Sequence, residues 1–204
     1  YYAAIGVRDP QPYGSPSAVA VTDGPVHPMK ESDIQAVVHE RYGIRFPYFL
    51  FSGRWEQRKN IIRTLEAFAL FKRTARGEHR LVMTGDNTWA ADEAAAAISR
   101  LGIRNMIINL GNTPWSDLPY LYSGAQAVMY ASLWEGFGLP IVESMACGTP
   151  VITSNITAMP ETAGNAALLV DPYSVEDMAA AMHRIISDTD LRNVLRARGL
   201  QRAR

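Results

Sequence analysis

The sequence predicts an α/β fold, a doubly wound parallel sheet of Rossmann-like type. Apolar bursts suited to strands buried on both faces alternate with stretches of helical spacing from Pro47 almost to the last residue. Glycine, alone or in a Gly-Thr-Pro run, punctuates this rhythm at Gly53, Gly85, Gly111 and Gly148. Strands alternating with helices at this spacing build a parallel sheet with helices on both faces. Ligands of such sheets bind in the crevice outside the carboxyl ends of the strands. The loops that directly follow strands are therefore where function is expected.

Taken in order, residues 1–27 are rich in Pro, Gly and Ser and read as irregular, with a short strand compatible with Ala18–Val21. A helix fits Glu31–Tyr42, and residues 1–45 together form a lead-in to a domain spanning 46–204. Strands are expected at Tyr48–Phe51, Arg80–Thr84, Met106–Leu110, Ala127–Tyr130, Pro150–Thr153 and Ala167–Val170. Helices are expected at Asn60–Arg73, Ala90–Leu101, Trp115–Tyr122, Leu139–Cys147, Met159–Ala163 and Val175–Ser187, with a last one at Leu191–Arg204. Ala94–Ala97 favours helix intrinsically, Pro140 suits a first helical turn, and Gly148 suits a helix stop.

The 204 residues are enough for one well-buried domain but few for two. Twenty basic and twenty acidic residues balance, so bulk charge gives no reason to expect nucleic acid or an anionic membrane as partner. No apolar run has the length of a membrane span, and the opening Tyr1-Tyr2-Ala3-Ala4 lacks the features of a signal peptide. Both ends read as cut, and the chain is expected to be a piece of a longer protein. Cys147 is the single cysteine, which fits a reduced cytoplasm and reads as a packing thiol at a helix end. His27, His39, His79 and His183 show no metal-ligand spacing, so no metal is expected. P-loop and Rossmann glycine patterns are absent, since Gly136 and Gly138 are followed by Ile141 where a third glycine would stand. A G-x-S-x-G elbow is absent as well.

Four post-strand loops bear chemistry. The first holds Arg54 and Lys59, two cations suited to a diphosphate, with Asn60 placed to cap the next helix; a solvated charged loop explains them as well. The second, Gly85-Asp86-Asn87-Thr88, offers ligand contacts or a helix cap. The third, Gly111-Asn112-Thr113-Pro114, offers small residues where a base would lie, or simply a turn. The fourth is Glu135-Gly136-Phe137-Gly138-Leu139-Pro140-Ile141-Val142-Glu143. Its glycines admit a close ligand, its helix start attracts phosphate, and its two carboxylates accept hydrogen bonds from hydroxyls. Phosphate and hydroxyls on one ligand point to a nucleotide sugar. Against this, Glu143 in a first turn also complements the helix dipole, and Glu135 alone reads as a turn residue.

From Tyr48 to Arg204 the sequence resembles glycosyltransferase family 4, retaining nucleotide-sugar enzymes with the two-domain GT-B fold. The resemblance lies in the Phe-Ser-Gly-Arg opening, Arg58-Lys59-Asn60, the Glu135–Glu143 spacing, Ala146–Ile152, Met159-Pro160-Glu161 and Ala167–Pro172. Val21-Thr22-Asp23-Gly24 resembles a degenerate Pro-Asn-Gly-Val segment. The resemblance implies the C-terminal half of a GT-B enzyme, similar to bacterial mannosyltransferases. It implies that Arg54 and Lys59 clamp the donor diphosphate, and that Glu135 meets sugar hydroxyls. Gly136, Phe137, Gly138 and Leu139 would lie beside sugar and phosphate, Glu143 would hold the ribose, and Thr113 and Pro114 would contact the base. Catalytic roles would fall on Arg54, Lys59 and Glu135, with no metal and no cofactor beyond a GDP- or UDP-linked donor.

The activity implied is transfer of a hexose, mannose from GDP-mannose first among candidates, to a glycan or lipid-linked acceptor in polysaccharide or lipopolysaccharide assembly. The acceptor would be held by an N-terminal domain that the sequence does not contain, so the chain alone is expected to bind nucleotide without transferring sugar. Peripheral association of the whole protein with the inner face of the plasma membrane is compatible with that role. A noncatalytic nucleotide-sugar-binding or scaffolding module on the same fold is the alternative. A dehydrogenase would need the missing glycine fingerprint.

Overall fold

The computed structural model describes residues 29–86 and 90–204. The expected strand at Ala18–Val21, the Val21–Gly24 segment and Asn87 and Thr88 lie outside the described residues. Elements follow one another as α1 (Glu31–Gln35, continued by wider π-type turns over Ala36–Arg41), β1 (Tyr48–Ser52), a 3-10 turn (Gln57–Lys59), α2 (Ile61–Thr74), β2 (Arg80–Thr84), α3 (Ala91–Leu101) and β3 (Ile107–Gly111). There follow α4 (Leu118–Ser123), β4 (Ala127–Tyr130), α5 (Leu139–Ala146), β5 (Val151–Ser154), α6 (Met159–Ala163), β6 (Leu168–Val170), α7 (Val175–Ser187) and α8 (Thr189–Arg202).

Among the described residues six strands pair in parallel in the order β3-β2-β1-β4-β5-β6. The chain winds outward from β1 on one side, then restarts at β4 and winds outward on the other. The switch between β1 and β4 leaves a crevice at their carboxyl ends, the place where such sheets bind ligands. The doubly wound parallel sheet expected from the apolar rhythm is thus observed.

Alternation along the strands divides the core into two layers. Phe49 and Phe51 of β1 face a cluster with Phe68 and Phe71 of α2, Ala94 of α3 and Met178 and Met182 of α7. Tyr48 and Leu50 face the other way, onto Ile34 and Val38, Leu121 and Tyr122 of α4, and Ile141 and Met145 of α5. Helix α8 serves both layers, with Leu195 in the first and Leu200, together with Ala203 just past its end, at the second. Arg41 donates to both carboxylate oxygens of Asp117 at 2.7 and 2.8 Å, and the Tyr42 hydroxyl donates to it at 2.6 Å, tying the α1 segment to the start of α4.

Several boundaries differ from expectation for local reasons. Helix α4 begins at Leu118, three residues after the expected Trp115, because residues 114–117 form a turn in which Asp117 N–H donates to Pro114 O. Helix α2 begins at Ile61 because Asn60 is left-handed (φ 58°). Strand β3 begins at Ile107, since Met106 closes a 3-10 turn. Helix α8 begins at Thr189, where Asp188 accepts the Leu191 N–H at 2.8 Å. Among the described residues no helix is long and apolar enough to cross a membrane.

Candidate functional site

The post-strand loops are stitched edge to edge by their backbones. Gly53 N–H donates to Thr84 O at 3.1 Å, Trp55 N–H to Asp86 O at 2.7 Å, and Gly85 N–H to Gly111 O at 2.8 Å. Gly85 sits at φ +121°, and a Cβ there would come within 2.1 Å of Gly53 O, so only glycine allows the first and second loops to lie this close. The Thr84 and Thr113 hydroxyl oxygens are 2.6 Å apart, bringing the third loop against the second.

Between these loops and the start of α5 lies a cavity of about 540 Å³. Its walls are Gly53 and Arg54 after β1, Gly85 and Asp86 after β2, Asn112 and Thr113 after β3, Trp115 and Leu118 at α4, and Leu139, Pro140 and Glu143 of α5. Four loops expected to bear chemistry thus converge on one space. Trp115, which helical spacing places at a helix start, is 48% exposed and adds an aromatic face to the cavity.

Glu143 is held by a partner in the core. Tyr122 of α4 is fully buried, and its hydroxyl donates to Glu143 Oε2 at 2.9 Å while lying 3.0 Å from Ser52 Oγ. Burial, and then the Glu143 charge, raise the Tyr122 phenol well above its ordinary value, so it stays a neutral donor. In the sequence Tyr122 stands only as the last residue of an expected helix; its contact with Glu143 has no sequence signal. Cys147, nearby, is buried, and burial followed by the Glu143 charge pushes its thiol up to about 12, so it is a protonated packing residue as expected.

The other half of the nonapeptide is built differently. Glu135 Oε1 accepts from Lys59 Nζ at 2.6 Å and from Arg58 Nη1 at 2.9 Å. Lys59 Nζ also donates to the Tyr130 hydroxyl at 2.6 Å and stands 4.6 Å from the centre of that ring. Arg58 Nε in turn donates to Glu56 at 2.7 Å. Burial opposes the Glu135 charge, but the Lys59 hydrogen bond and charge, with the Tyr130 hydrogen bond and the Arg58 charge, together hold the carboxyl below its ordinary value. Burial lowers the Lys59 ammonium despite the raising effect of Glu135.

Two expectations are corrected here. Arg54 and Lys59 do not form a matched pair at the rim: Arg54 lines the cavity, whereas Lys59 is only 7% exposed and paired with Glu135. The solvated-loop reading therefore fails for Lys59. Asn60 stands at the helix start but its side chain makes no capping bond. Its Nδ2 donates instead to Ala131 O at 3.0 Å and Pro172 O at 2.7 Å, fixing the loop after β1 to those after β4 and β6.

Of the remaining expected residues, Thr113 and Leu139 line the cavity, while Pro114 contributes the turn before α4. Glu135, Gly136, Phe137 and Gly138 stand beside the cavity without forming its wall. Gly138 is left-handed (φ 90°), a Cβ on Gly136 would meet nothing within 4 Å, and Phe137 and Trp134 are 54% and 61% exposed. Arg58 was read only as part of a motif, and its pairing with Glu135 has no signal in the chain order. Among the described residues no group of three or more His, Cys, Asp or Glu side chains could hold a metal.

The family model described as glycosyl transferases group 1 matches residues 39–202, which include every loop of this site. The chain belongs to this family. The motif resemblance and the fold are thereby both borne out. Among similar proteins is the O-antigen chain mannosyltransferase B of Escherichia coli, 40% identical over 157 residues, covering 77% of this chain and 41% of the relative. The O-antigen chain mannosyltransferase RfbU of Salmonella typhimurium is 32% identical, covering 68% of this chain and 38% of its own length. Of solved structures, Anabaena HepE in complex with UDP and glucose superposes with a TM-score of 0.77 at 22% identity, covering 87% of this chain and 49% of that one. The chain thus spans about two fifths of these two curated relatives and half of that structure.

Proposed function

We propose that this chain is the donor-binding domain of a retaining glycosyltransferase that transfers mannose from GDP-mannose to a glycan or lipid-linked acceptor. The observation that carries the reading is the convergence of Arg54, Thr113, Glu143 and the α5 start on one cavity at the β1/β4 switch point. The mannosyltransferase names of the relatives support the choice of sugar.

In this reading the base enters beside Thr113 and Trp115, and Glu143, oriented by Tyr122, accepts hydrogen bonds from the ribose hydroxyls. Arg54, with Lys59 behind Gly53, balances the diphosphate, and the start of α5 adds its dipole. Glu135 receives sugar hydroxyls. The leaving phosphate assists attack of the acceptor on the same face of the sugar, so no side chain here need act as a nucleophile, and no metal is needed to balance the charge. The acceptor belongs to the rest of a longer cytoplasmic protein, working at the inner face of the plasma membrane in O-antigen-like polysaccharide assembly.

A thermal-shift series with GDP, GDP-mannose, UDP, UDP-glucose and ADP tests this. A ligand at 100 times its dissociation constant adds about 2.7 kcal/mol of stability. The guanine ligands are expected to stabilise most, and the chain alone is expected to show no transferase turnover. Stabilisation by none of the five would overturn the reading.

A further inference from the structure

Glu135 lies beside the cavity yet occupies a cation that the cavity needs. We propose that Glu135 is a built-in counter-anion of the diphosphate clamp, holding Lys59 until sugar hydroxyls replace that lysine on the carboxylate. The site would then select a sugar nucleotide over the free nucleoside diphosphate. This rests on the nucleotide-sugar reading and deepens it.

Lys59 is close enough to serve the cavity. A Cβ on Gly53, a cavity-wall residue, would stand 3.8 Å from Lys59 Nζ. Yet Nζ lies 2.6 Å from Glu135 Oε1, and the same oxygen also receives Arg58. The ion-paired cluster at this end of the cavity holds three cations, Arg54, Arg58 and Lys59, and two carboxylates, Glu56 and Glu135. The cluster is therefore +1, the difference of three and two, so most of its cationic charge is already compensated.

A phosphate at neutral pH accepts hydrogen bonds and has none to donate. If it draws Lys59 away, a largely buried carboxylate loses a donor and faces a second anion. A sugar on the same ligand carries hydroxyl donors that replace the lost one. The free diphosphate therefore bears a cost that the sugar nucleotide does not. The Tyr130 hydroxyl also accepts from Lys59, so removing the Glu135 charge leaves the lysine with one hydrogen bond and with less of its charge compensated.

The test is calorimetric titration of the chain and its Glu135→Gln variant with GDP, GDP-mannose, UDP and UDP-glucose. Glu135→Gln is expected to tighten the better-bound free diphosphate about fivefold to tenfold, while its sugar conjugate binds no better than before. Adding the substitution to a Lys59→Ala chain should give no such gain. Glu135→Asp, a gentler change for folding, should shift the same preference in the same direction by a smaller factor. If the parent chain binds these ligands but both Glu135 variants weaken free diphosphate, or shift free and sugar-linked ligands equally, the counter-anion role is overturned and the site stands. If the parent chain binds none of the four, the site and the counter-anion fall together.

Discussion

The two glutamates of one nonapeptide meet different partners. Glu143 rests on a neutral, buried phenol and faces the cavity, whereas Glu135 is matched by two cations and lies beside it. The first arrangement orients a carboxylate toward the cavity through a hydrogen bond from a neutral donor. The second stores the charge of a lysine until something displaces it. Identical side chains eight residues apart thus have different chemistry because their partners come from different elements.

The largest expected effect tests the shared frame. Gly85→Ala would place a methyl against Gly53 O in a backbone conformation that alanine resists, costing at least about 3 kcal/mol. Chemical denaturation should show it, and a cost below about 1 kcal/mol would mean that the loops slide apart easily.

Next comes Lys59→Ala, which leaves the Glu135 carboxylate with Arg58 and removes the Tyr130 contact. It should destabilise the chain by about 2–4 kcal/mol and weaken nucleotide binding about tenfold while leaving it measurable. Comparing its denaturation midpoint and ligand-induced shift with those of Arg54→Ala, which should weaken binding with little loss of stability, separates the buried cation from the rim cation.

The pH dependence sharpens the same contrast. The folded Glu135 carboxyl lies below its unfolded value, so the unfolded chain binds more protons between the two. The contribution of Glu135 is therefore complete above the ordinary carboxylate range and is lost as pH falls through the folded value. Asp117, whose burial is outweighed by hydrogen bonds from Tyr42 and Arg41, follows the same sign. Glu135→Gln should flatten part of the acid limb in a series of melts, leaving the part due to Asp117; an unchanged limb would show that Glu135 is not linked to folding.

The smallest effect should come from Tyr122→Phe. Loss of one hydroxyl from Glu143 is expected to cost about 1 kcal/mol and weaken nucleotide binding a few-fold. Equal losses from Tyr122→Phe and Tyr130→Phe for every ligand would erase the distinction between the two halves.

Much of the fold was legible. All six strands lie where apolar bursts place them, because burial on both faces demands continuous apolar sequence. Turns were less legible: Trp115 and Asn60 have residue types compatible with a helix start, and contacts made elsewhere decided otherwise. In the site, the post-strand loops and both glutamates were marked by small residues and charge. Tyr122, Tyr130 and Arg58 were not, since an aromatic at helical or strand spacing looks the same whether or not its hydroxyl has a further task.

By itself the sequence determined the alternation of strand and helix, the family, and the four loops in which chemistry is expected. Periodicity and turn chemistry are local, and they act over a few residues. The tertiary structure alone decided that Lys59 meets Glu135 across 76 positions and that Glu143 meets Tyr122 across 21. Those pairings depend on which strands lie side by side at the switch point, and burial there gives each charge its partner.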